Sequence, residues 1–309
     1  MIERTPLLNI ATHAILLFGL GIAFIPMWLV FVASTLTIAE INSPPISLIP
    51  GDQLFVNLAD AWNRADFGTK MLNSLFVAVA VAAGKIAIAS VTAFAIVFFR
   101  FPGRMVIFWM IFVTLMLPLE VRIVPTYAVA ANALAPVQAL LDITGLSALL
   151  RALTGIQLAL EWNLLNTYTG LILPLVATAT GTFLFRQFYM TIPAEIVEAA
   201  RMDGARPLRF FKDMLIPLSK TNMAALFTIM FIYGWNQYLW PILVTTDRKN
   251  YGTAVMELKR LIPTASTTGG GTPDWNVAMA GCLIVMLPPL IVVALMQRYF
   301  VRGLIGADK

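Results

Sequence analysis

Long uncharged runs alternate with short polar interruptions along this chain, and the runs predict its elements. Windows free of Asp, Glu, Lys and Arg extend from Ala14 to Ala39, Trp162 to Phe185, Thr221 to Thr246 and Trp275 to Gln297. Each reaches the ~20 residues that an α-helix needs to cross a hydrocarbon core. Two further runs hold isolated charges: Met71 to Phe99 carries only Lys85, and Met105 to about Ala130 carries Glu120 and Arg122. The pattern predicts an all-α integral membrane protein with six transmembrane helices. The first run is too long for the ~7–15-residue core of a cleaved signal peptide, so it reads as a retained anchor, with the mature chain expected to begin near Met1.

Composition agrees and charge adds direction. At 59% hydrophobic and 12% charged residues, with a mean hydropathy of +0.83, the chain is too apolar for a water-soluble domain. With the N-terminus in the cytoplasm, the loops place twelve Lys and Arg inside and eight outside, and Lys85 completes the 21. Ten of the sixteen acidic residues fall outside. That bias predicts both termini on the cytoplasmic side. The stretch from Ala133 to Asn166 is apolar, but Asp142, Arg151 and Glu161 interrupt it. A charge at the bilayer centre costs roughly 2.5–3.5 kcal/mol, so one or two amphipathic helices on the outer face are expected here rather than a seventh span.

The basic loop between the fourth and fifth runs is punctuated in order. Pro193 fits the first turn of a helix, and Glu195 and Glu198 sit toward its positive N-terminal end. Ala199 and Ala200 let another backbone come close. Gly204 suits a left-handed terminator, Pro207 opens a second short helix and Pro217 ends it. The spacing predicts helix, tight turn and helix, with a small and charged face suited to a groove on a soluble protein.

The pattern Glu198-Ala199-Ala200, three residues, Gly204, nine residues, then Met214-Leu215-Ile216-Pro217 resembles the cytoplasmic loop motif of ABC-importer permeases. Met214 and Ile216 replace the family's usual Ile and Leu. The resemblance covers nearly the whole chain, through Phe99-Arg100-Phe101-Pro102, Leu117-Pro118, Trp235 to Pro241 and the tail from Gln297 to Leu304. It is to carbohydrate-type permeases with a MetI-like transmembrane domain, related to the maltose permease, and most of all to the sn-glycerol-3-phosphate type. The stretch 133–166 is longer than the corresponding family loop.

The resemblance implies a type I importer permease. Residues 1–70 would form an N-terminal transmembrane anchor and periplasmic loop. Residues 71–300 would form the MetI-like core, with the outer-face insertion 133–166 and the cytoplasmic coupling loop 191–220, and 301–309 the tail. The loop would form a coupling helix seated in a cleft of a cytoplasmic ATPase, with Glu198 pairing to a basic group, Ala199 and Ala200 allowing close contact, and Asp203, Gly204 and Ala205 shaping the turn. Implied partners are a homologous second permease, two copies of an ABC ATPase and a periplasmic substrate-binding protein, all at the bacterial inner membrane. The chain has no G-x-x-x-x-G-K-[ST] loop, so it is read as a non-catalytic subunit, with ATP and Mg on the partner ATPase. The implied cargo is sn-glycerol 3-phosphate, with glycerophosphodiesters as an extension. A neutral sugar or polyol, or transport coupled to an ion gradient, are the alternatives.

Candidate substrate contacts lie within the spans, each with a second reading. Lys85 near mid-span either meets an anionic phosphate ester or pairs with Glu120 on the next span. Arg122, two residues after Glu120, either recognises phosphate through its planar fork or reaches the outer headgroups. Pro118 and Pro125 suggest a broken helix there. Asn236, Gln237 and Tyr238, beside Trp235 and Trp240, offer hydrogen bonds and ring faces to a polyol, or else an interfacial aromatic belt. One histidine and one cysteine exclude a metal cluster or disulfide framework within the chain. The basic residues lack interleaved exposed aromatics, which gives no case for nucleic acid. Gly269-Gly270-Gly271 reads as a flexible turn.

Overall fold

The computed structural model describes residues 6–114, 119–155, 159–177, 179–264 and 272–305, and the side chains of residues 6, 119, 120, 298 and 300–305 lie outside that description. Every regular element among the described residues is helical. Three helices are long and apolar enough to cross a membrane unbroken, over Leu7–Thr35, Phe67–Phe98 and Trp275–Gln297. These match three of the six expected runs.

The other runs are interrupted, each where the chain loses a helical hydrogen bond or turns. The run from Trp162 begins irregularly and becomes helical over Tyr168–Val176 and Ala179–Met190, with a 47° bend between them. The run from Thr221 is helical over Lys220–Trp235, breaks, and resumes over Leu239–Val244. The run from Met105 is helical over Arg104–Val113 and Leu119–Ala131, and the expected break at Pro118 lies outside the described residues. Pro125 sits inside the latter helix without ending it. The turn comes instead after Ala131, where the next helix, Ala135–Ile143, leaves at 78°.

The chain forms two compact units. The first comprises Met1–Thr69 and Glu257–Leu287. A buried asparagine relay ties it together. Asn276 donates to Asn57 Oδ1 at 2.8 Å, and Asn57 donates to the carbonyls of Ser34 and Leu36 at 2.9 Å each. Those carbonyls lie at the end of the Pro6–Thr35 helix, where no intrahelical donor remains, so the amide supplies the missing partner. Thr35 Oγ1 in turn accepts from the Gly51 N–H at 2.7 Å.

The second unit comprises Lys70–Met256 and Pro288–Lys309. Its core clusters Val77, Val81, Ala130, Leu164, Leu171, Leu175, Trp240 and Val244. Small residues set its helix crossings: a Cβ at Gly84 would lie 3.0 Å from Val176, and one at Gly234 would lie 3.1 Å from the Ala78 backbone. Membrane helices associate by this kind of close backbone approach. Pro174 has no N–H to give the Gly170 carbonyl four residues back, and Trp240 Nε1 donates to that carbonyl at 3.1 Å. A side chain at position 170 would overlap the Leu164 carbonyl, so glycine is required there.

Residues 133–155 contain two short helices, Ala135–Ile143 and Leu146–Thr154. Their exit and return are held together at the base. Ala133 N–H donates to Trp162 O at 2.8 Å, and Leu164 N–H donates to Ala130 O at 2.9 Å. Asn132 Oδ1 accepts from the backbone N–H of Leu134 and of Trp162, while its amide donates to Leu160 O.

Candidate functional site

Two places in the second unit hold most of the candidate residues, beginning with the basic loop. Ala194–Met202 is helical, and Pro193 takes the extended N-cap position just before it rather than the first turn. At the other end Gly204 has φ +70°, Gly204 N–H donates to Arg201 O at 3.0 Å, and Ala205 N–H donates to Ala200 O at 2.9 Å. This pair of bonds around a left-handed residue satisfies the last carbonyls and stops the helix. Pro207 then opens the helix Pro207–Phe210, which widens into a π-helical turn over Phe211–Leu215, with Ile216 N–H reaching back to Phe211 O. Pro217 follows without an N–H to offer, a setting in which such widened turns form. A 74° bend separates Pro207–Leu218 from Lys220–Trp235.

The loop has two faces. Glu198, Ala199, Met202, Asp203 and Gly204 are exposed, whereas Ala200 is buried in the chain's own packing. Of the alanine pair, only Ala199 is open to a partner. Met202 is 83% and Leu208 78% exposed, an apolar pair on the outer side that the sequence reading did not single out.

Lys85 is the second place. Its side chain is buried, and Nζ lies 4.2 Å from the centre of the Tyr233 ring. The face of an aromatic ring attracts an ammonium by ~0.5–2 kcal/mol, the upper end applying away from water. Arg122 is close enough for its charge to act on Lys85, and its Nε is buried without a hydrogen-bond partner. No carboxylate pairs with either cation among the described residues. The Glu120 side chain lies outside that description, so the Lys85–Glu120 pair stays an expectation.

Asn236, Gln237 and Tyr238 occupy the break between Lys220–Trp235 and Leu239–Val244, one turn beyond Tyr233. Asn236 is exposed, and the Gln237 amide donates to Tyr233 O at 3.1 Å. The aromatics flanking them do not form an interfacial belt: Trp235 and Trp240 are fully buried, and Trp240 serves the Gly170 carbonyl. Tyr233 is the residue that sequence reasoning missed. It lies 148 positions from Lys85, and no periodicity marks the pair.

Residues 85–306 match the model of the binding-protein-dependent transport system inner membrane component family. The chain belongs to that family. It is accordingly a transport permease subunit, embedded by several apolar helices in the inner membrane. It is 48% identical, over the full length of both chains, to the sn-glycerol-3-phosphate transport system permease protein UgpE of Pectobacterium atrosepticum. The UgpE proteins of Salmonella typhi and of Escherichia coli O1:K1 are 48% and 47% identical over the same extent. Among solved structures, a bacterial ABC transporter involved in the import of the acidic polysaccharide alginate contains a chain with TM-score 0.71 and 22% identity, covering 97% of this chain and 99% of that one. This likeness supports the fold.

Proposed function

We propose that this subunit forms half of an ATP-driven import pathway for sn-glycerol 3-phosphate. The other half would be a homologous permease. Two ATPase subunits would supply ATP hydrolysis with Mg, and a periplasmic binding protein would deliver the substrate. The observation that carries the proposal is buried Lys85 with no described carboxylate partner, in a chain that resembles UgpE along its whole length.

A buried cation within an apolar helix is costly unless something compensates it. Tyr233 offers part of that compensation when the site is empty, and a phosphate dianion offers more when it arrives. Lys85 then acts as a point charge and Arg122 as a fork, a division of labour suited to a phosphate monoester. Asn236 and Gln237 would serve the glycerol hydroxyls.

Energy would enter through the 191–220 loop. Glu198 and Ala199, with Met202 and Leu208, would offer a charged and apolar surface to an ATPase groove, and the turn at Asp203, Gly204 and Ala205 joins the two helices. Both termini would lie in the cytoplasm, with six spans in all if each bent helix pair or interrupted run crosses once. The domain division of anchor, core and tail belongs to the same reading.

The test is uptake of labelled glycerol 3-phosphate into proteoliposomes holding the reconstituted complex, with and without internal ATP. ATP-dependent accumulation that a neutral polyol does not compete is expected. Accumulation driven by an ion gradient in the absence of ATP sinks the proposal.

A further inference from the structure

A cavity of about 620 Å³ lies behind the basic loop, walled by Phe94, Phe98, Phe99 and Phe210 and flanked by Arg100 and Arg201. Its aromatic wall is interlocked: Phe94 meets Phe99 edge-on at 5.3 Å between ring centres, and Phe98 meets Phe210 edge-on at 5.4 Å. Both arginines are exposed, and neither guanidinium makes a hydrogen bond or ion pair among the described residues. Arg209 in the same loop instead pairs with Asp213 at 3.4 Å.

The lining is amphipathic in a definite sense. An inorganic anion has no use for four rings, and a neutral apolar molecule leaves two guanidinium groups uncompensated. The matching ligand carries a phosphate at one end and hydrocarbon at the other. The position agrees: Phe98 ends one of the three long apolar helices, and Arg100 follows two residues later, where an apolar span gives way to a polar loop. Basic residues at that level meet lipid headgroups. Val197, Ala200 and Arg201 of the first loop helix line the cavity, whereas the exposed Glu198, Ala199 and Met202 do not.

We propose that this cavity binds one anionic phospholipid, its phosphate between Arg100 and Arg201 and its first acyl carbons along Phe94, Phe98 and Phe210. The proposal rests on the reading above only in placing the loop at the membrane surface. Its readout is lipid retention, so it stands or falls separately from the identity of the cargo.

Native mass spectrometry of the complex, purified in detergent with phosphatidylglycerol or phosphatidylethanolamine, tests it. Each arginine at a charged lipid surface favours the anionic lipid about fivefold, so the wild type should retain phosphatidylglycerol over phosphatidylethanolamine by about 25-fold. The Arg100→Gln/Arg201→Gln variant should lose that preference, while Lys212→Gln, in the same loop but outside the cavity, should keep it. If the double variant does not assemble, Arg100→Gln alone carries the test, with an expected loss of about fivefold. Equal retention of the two lipids by the wild type, or a preference that survives the arginine substitutions, overturns the proposal. Displacement of the lipid by millimolar inorganic phosphate also overturns it, because the cations would then serve a soluble anion.

Discussion

The basic loop and the helix packing behind it are built from different kinds of information. In the loop, each turn is set by residues within five positions of it: Pro193 before the first helix, Gly204 after it, Pro207 at the start of the second and Pro217 beyond the π-helical turn. In the packed helices, the decisive contacts join Lys85 to Tyr233 and Gly170 to Trp240 across long stretches of chain. Local grammar yields a shape, and distant pairing yields an environment. The proposed input of energy relies on the former and the proposed recognition of cargo on the latter.

The largest expected effect comes from breaking the local grammar at its one left-handed residue. A non-glycine residue pays ~1–2 kcal/mol for that conformation, and a β-branched one fits it worst. No atom lies within 4 Å of a Cβ at Gly204, so the effect of a substitution is on the backbone alone. Gly204→Val should abolish ATP-driven uptake while the chain still reaches the membrane, and Gly204→Asn, which tolerates φ near +70°, should restore much of it. Uptake by Gly204→Val at the parental rate would remove the turn from the coupling scheme.

A smaller effect is expected from the distant pair. Lys85→Gln should raise the KM for glycerol 3-phosphate at least tenfold, a loss of ~1.4 kcal/mol or more, and leave uptake of a neutral polyol unchanged. Tyr233→Phe keeps the ring face that the lysine meets. Tyr233→Leu removes that face and should cost about 2- to 30-fold in KM with little change in kcat, the range that a cation–π contact supports. Equal losses for charged and neutral cargo in Lys85→Gln would recast the lysine as a structural element.

The same division explains what the sequence made legible. The all-helical class and the three unbroken apolar helices followed from runs of hydrophobic residues, the family from its resemblance along the Glu198 to Pro217 pattern, and the loop's helix–turn–helix from its prolines and glycine. The interruptions of the other runs were less visible, because a proline reports a missing donor without saying what replaces it. Pro125 passes inside a helix, whereas beyond Pro174 the chain bends by 47°. Ala200 illustrates a second limit: its small size was legible, but the face it turns toward depends on packing around Phe94 and Phe210. The roles of Trp235 and Trp240 were obscured for a similar reason. Aromatics near the end of an apolar run suggest an interface, and only their burial shows that they belong to the core.

The smallest effect, on stability rather than transport, probes the Gly170–Trp240 link. Trp240 is fully buried, and Trp240→Phe removes the donor that Pro174 cannot supply, leaving the Gly170 carbonyl without a partner. An orphaned buried polar group costs ~1–3 kcal/mol, which should lower the apparent unfolding temperature in detergent by several degrees. Pro174→Ala restores a backbone N–H four residues beyond Gly170, so in the Trp240→Phe background it should recover part of the loss. In the wild-type background it should gain little, because the carbonyl is already served. The two substitutions should therefore be non-additive, as expected of groups that share one partner. Strict additivity in that double-mutant cycle would mean that the indole stabilises the unit by filling space, and that the proline and the tryptophan are unconnected.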